Sequence, residues 1–146
     1  MKIDQAIKSL KYIPKIWTAL GYLLLLLFSL MLFFGRNFEI IRIAALVDVF
    51  PGFYKHVSNF SLSLIIYITI GYVGLMADLT LRHIIVIGLT ILLINLMTEF
   101  LISFLNTPDI IDAIYGIEGV VLGFVFLFLA NRYGYKTNDI IKTNTQ

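Results

Sequence analysis

Residues 84–104 read IIVIGLTILLINLMTEFLISF, an apolar or weakly polar run broken by one charge, Glu99. A helix needs about 20 residues to cross the hydrocarbon core of a bilayer, so the run is read as a membrane span. A carboxylate inside such a segment is costly and points to a function or to a defined partner. Glu99 stands near the end of the run, within reach of a water-filled or interfacial vestibule.

Outward from this stretch the pattern repeats. Further apolar runs cover residues 16–34, 60–79 and 110–130, each long enough to span with tilt. The chain of 146 residues is 60% hydrophobic and 14% charged, which excludes an ordinary soluble domain. The reading is an all-α integral membrane four-helix bundle forming one domain over residues 1–146. The first run follows a basic segment, as the apolar region of a signal peptide would. It is longer than such a region and no A-x-A-like site follows, so it is read as a retained helix. With no cysteine there are no disulfides, thiolate ligands or cysteine nucleophiles. A net charge of +2 with no basic stripe gives no footing for nucleic acid.

Charge orients the spans. Lys2, Lys8, Lys11, Lys15, Arg82, Arg132, Lys136 and Lys142 fall on the side of the termini, against Arg36, Arg42 and Lys55 on the other. The positive-inside rule then predicts a multi-pass protein of the inner or plasma membrane with both termini cytoplasmic. Tyr12, Trp17, Tyr22, Tyr133 and Tyr135 suit interfacial anchoring. Between the first two spans, residues 38–47 are apolar with charges at Glu39, Arg42 and Asp48. This spacing predicts a short amphipathic helix along the membrane surface, or a re-entrant segment, ended by Pro51-Gly52.

Polar residues gather at the ends of the later spans. At 100° per residue, Asn95, Glu99, Ile102 and Asn106 share one helical face. His56, Asn59, Ser63 and Tyr67 form a stripe if the second helix begins as early as His56. Asp109, Asp112, Gly116, Gly119 and Gly123 form another. A polar vestibule of Glu99, Asp109, Asp112, His56 and Asn95 is therefore expected, with Glu99 and Asp112 brought together by the short connection between their helices. Simpler roles stand beside this one. Asp109 after Pro108 suits an N-cap, and His56 an interfacial polar position. Glu99 suits a protonated packing residue, and Gly116, Gly119 and Gly123 suit close helix packing. Gly134, beyond the last span, is expected to tolerate a bulky side chain. Clustered carboxylates repel unless protonated or neutralised, and a divalent ion would relieve that. No H-E-x-x-H-like spacing, phosphate loop or nucleophile motif occurs; no metal or cofactor is expected, and whether the protein is an enzyme is left open.

The stretch from Glu99 through Asn106, Asp109, Asp112, Gly116 and Gly119 to Gly123 resembles the VanZ-like membrane proteins. Their pattern has a glutamate ending one helix, two aspartates three apart in a short connection, and glycines opening the next helix. Lys55-His56 before Phe60 is similar to their lysine and histidine ahead of an aromatic residue. The chain departs from the pattern at Ile102, where glutamine is usual, at Asn106 (arginine) and at Gly116 (asparagine), and its lysine and histidine are adjacent. The resemblance implies a cell-envelope role at the outer leaflet, on a lipid-linked glycan, lipopeptide or similar surface molecule, with tolerance to glycopeptide or lipopeptide antibiotics. Membrane lipids are the implied partners. Two other readings remain: an accessory subunit whose glycine face packs on a larger membrane protein, and a small enzyme of lipid or lipid-linked glycan metabolism using Glu99 or an aspartate as general base.

Overall fold

The computed structural model describes residues 10–100 and 109–138, with residues 99 and 100 as backbone only. Among the described residues four helices are long and apolar enough to cross a bilayer: α1 (Ile16–Gly35), α3 (Phe53–Met76), α4 (Leu81–Phe100) and α5 (Ile110–Leu129). A short α2 (Ala44–Val49) lies between the first two. The protein is an all-α, multi-pass membrane bundle. Its outward faces stay apolar, as lipid requires: Leu24 is 65% exposed and Val86 61%.

The second span starts earlier than residue 60. Gly52 at φ 92° takes the left-handed conformation that glycine adopts without steric cost, turning the chain into α3 directly after Pro51. His56, Asn59, Ser63 and Tyr67 therefore all lie on one continuous helix. The span also ends before residue 79, because Asp78 is left-handed at φ 78° and the amides of Ala77 and Leu79 both donate to the Gly74 carbonyl. Only residues 77–80 then separate α3 from α4, which starts at Leu81 rather than residue 84. The expected continuation of that span to residue 104 passes outside the described residues.

The segment between α1 and α3 holds the short helix expected there, but over Ala44–Val49 and not from residue 38. A 3-10 turn at Glu39–Ile41 is separated from α2 by Arg42 in extended backbone. Arg42 turns back on the exposed carbonyls that end α1: Nε donates to Gly35 O at 2.8 Å and Nη2 to Arg36 O at 3.1 Å, while Nη1 pairs with Glu39 at 3.1 Å. Two short strands unforeseen in the sequence, β1 (Tyr12–Pro14) and β2 (Tyr135–Thr137), pair antiparallel with Ile13 opposite Lys136. They clip the two ends of the bundle together at one face.

Helix α3 is the central element. Its Val57, Leu64, Tyr67, Ile68 and Leu75 are almost fully buried, and it runs parallel to α5 at glycine distance. A Cβ on Gly119 would strike the carbonyl oxygen of Phe60, and one on Gly123 would lie 2.9 Å from the Tyr67 ring. The glycine face is thus taken up inside the chain, against α3 and, at Gly116, against Asn95 of α4. Gly134 is packed as well, contrary to expectation. Its carbonyl accepts from Lys15 N at 2.7 Å and from the buried Thr18 hydroxyl at 2.9 Å. A Cβ there would lie 2.5 Å from Thr18 Oγ1. The aromatic belt divides likewise. Trp17 and Tyr133 are exposed, whereas Tyr22 stacks on Tyr72 at 4.3 Å and Tyr135 donates to Tyr72 O at 3.2 Å.

Candidate functional site

Helices α3 and α5 both begin at the face away from the β1–β2 pair, so two positive helix ends lie side by side there. His56 sits in the first turn of α3; Asp109 caps α5 and Asp112 occupies its first turn. Their side chains meet. His56 Nδ1 lies 2.8 Å from Asp112 Oδ1 and 3.7 Å from Asp109 Oδ2. The other Asp109 oxygen, Oδ1, accepts from Ile111 N at 2.9 Å, so capping and the site engage different atoms of one carboxylate. The histidine side chain is only 9% exposed, the carboxylates 29% and 24%. The cluster therefore opens outward through its acids.

An ionised carboxylate only accepts hydrogen bonds, so the 2.8 Å contact requires the proton on Nδ1. In the neutral ring this leaves the basic lone pair on Nε2, with Asp112 fixing tautomer and orientation. A carboxylate-oriented imidazole can bind a hydroxyl or ammonium group, or move a proton. Nδ1 and one oxygen from each aspartate also lie within 4.8 Å of one another, close enough for one cation. Such an ion would need the Nδ1 lone pair, so it and the Nδ1–H bond to Asp112 exclude each other.

Of the vestibule residues expected from the sequence, His56, Asp109 and Asp112 are brought together and Asn95 is not among them. Asn95 Nδ2 donates to Ser63 Oγ at 2.8 Å, two turns or ~10 Å below His56 along α3. It belongs to a seam of contacts between helices that continues to Tyr67, whose hydroxyl donates to Ile84 O at 2.9 Å. The Glu99 side chain, and the positions of Ile102 and Asn106, lie outside the described residues. Tyr115 was missed: its ring is 5.7 Å from His56 and 5.6 Å from Phe53, walling the cluster. Its place three residues after Asp112 was the available signal. Comparison with protein-family models, with curated proteins and with solved structures finds no match for this chain.

Proposed function

We propose that this is a VanZ-like envelope protein that binds the polar head of a lipid-linked surface molecule at the outer leaflet, through the cluster of His56, Asp109 and Asp112. The observation that carries the reading is the 2.8 Å bond between His56 and Asp112, which joins two separate spans in an acceptor-rich, partly open site at a membrane face. Two outward carboxylates and an oriented imidazole suit a ligand rich in hydroxyl or amine donors, as glycans and basic lipopeptides are. The excess of basic residues on the terminal face supports placing the site outside and both ends in the cytoplasm. An accessory-subunit role loses its sequence argument, because Gly116, Gly119 and Gly123 are buried within the chain.

The test is genetic and biochemical together. Deleting the gene should sensitise its host to a glycopeptide or lipopeptide antibiotic. Wild-type protein should restore tolerance, while Asp112→Asn and His56→Gln, present in the membrane at equal level, should not. Full complementation by both variants would refute the reading.

A further inference from the structure

The three basic residues of the site's face are not scattered over it. Arg36, at the end of α1, Arg42, in the connection, and Lys55, in the first turn of α3, line a single cavity of about 390 Å³ whose walls include Val47, Phe50 and Phe53. Their charges are not equivalent. Arg42 is spent on structure, with Glu39 and two backbone carbonyls occupying its guanidinium. Among the described residues the partner of Arg36 is neutral, Ser58 Oγ at 2.8 Å from Nη1, which leaves its remaining N–H groups for a ligand. Lys55 is exposed and forms no ion pair with a described residue. Two cations with no acidic partner among the described residues thus face one cavity, and the adjoining first turn of α3 carries no acid to neutralise them.

We propose that this cavity binds the phosphate group of an anionic membrane lipid, with Arg36 and Lys55 as its ligands. Phosphate matches the charge left over, and a guanidinium beside an ammonium provides several donors to its oxygens. The apolar walls favour a phosphate carried on a lipid over a free ion, since at the membrane interface they would meet the glycerol and upper acyl region. The inference does not depend on the His56 cluster.

Native mass spectrometry of the full chain in detergent, titrated with phosphatidylglycerol, tests it. The wild type should retain one tightly held lipid. Arg36→Gln/Lys55→Gln should weaken that binding by about tenfold or more, each lost contact being a charge-assisted one. Lys55→Gln alone changes an exposed side chain, so it should fold normally and show a smaller loss in the same direction. Arg82→Gln/Arg132→Gln, on the opposite face, should bind as wild type. Displacement of the lipid by inorganic phosphate would keep the site and make soluble phosphate its source. Equal binding by the Arg36/Lys55 variant, or equal loss in the Arg82/Arg132 variant, would overturn the proposal.

Discussion

Gly119 shows what one hydrogen atom in place of a side chain does in this bundle. Its neighbour is not a flexible side-chain tip but the Phe60 carbonyl, with Leu64 N 3.2 Å from where a Cβ would stand, so α3 and α5 would have to part to admit even a methyl group. Gly119→Ala should destabilise by about 1–3 kcal/mol, the usual range for overpacking. Gly134→Ala should also lower the melting temperature in detergent, through Thr18. Leu24→Ala, on the lipid-facing surface, is the comparison. A Gly119→Ala protein melting with the wild type would remove the close-approach argument. The sequence told which helix face Gly119 lies on, because the 3.6-residue period is local. It could not tell what stands opposite. The fate of Gly134 depends on its meeting with Thr18, more than a hundred positions away, and no periodicity reports that. His56 and Asp112 were legible as members of stripes for the same reason that their bond was not.

Among the elements, the long helices and the presence of a short helix between the first two were readable, and the strands were not. Hydrophobic length locates a span, and Gly52 could have marked the early start of α3; strands of three residues offer no alternation to detect. Yet Tyr135 in β2 and Lys11, just before β1, have ionisations that can be followed. Burial pushes the Tyr135 phenol above its ordinary value. The hydrogen bond from Lys11 to Asp78, at 2.6 Å, raises the lysine. Both shifts act in one direction with pH. The unfolded chain loses its tyrosine proton near pH ~10 while the folded chain keeps it, so stability holds below that pH and falls above it. The Lys11 contribution is likewise present in the protonated state and lost as pH rises through its folded value. The melting temperature should therefore drop on the alkaline side, and less steeply for Tyr135→Phe, which has no phenol to ionise. Identical alkaline profiles for the two proteins would show that Tyr135 does not report on the clip.

At the scale of the whole molecule, the four spans among the described residues and the pairing of β1 with β2 put both strands at one face, and Asp48 at the other. Which face is cytoplasmic is a matter of charge, and the proposed orientation predicts a simple labelling pattern. With no native cysteine, Asp48→Cys should react with an impermeant thiol reagent in intact cells. Lys136→Cys should react only after permeabilisation, and the opposite pattern would invert the protein in the membrane. The number of spans was legible because each is a local property of composition. That α3 would become the centre, contacting all three others, was not, since it follows from how four apolar cylinders share small residues and polar seams.

The strand clip also has a consequence for biogenesis. Ribosomes make the chain from its amino end, so residues 12–14 exist long before residues 135–137 and have no partner until the last span has been delivered. The hydrogen bonds from Lys15 and Thr18 to Gly134 wait on the same event. Closure therefore cannot precede delivery of the fourth described span, because it joins parts of the sequence more than a hundred positions apart. A chain truncated within its last helix could place its first three spans in the membrane and still lack the latch that keeps the first against the rest.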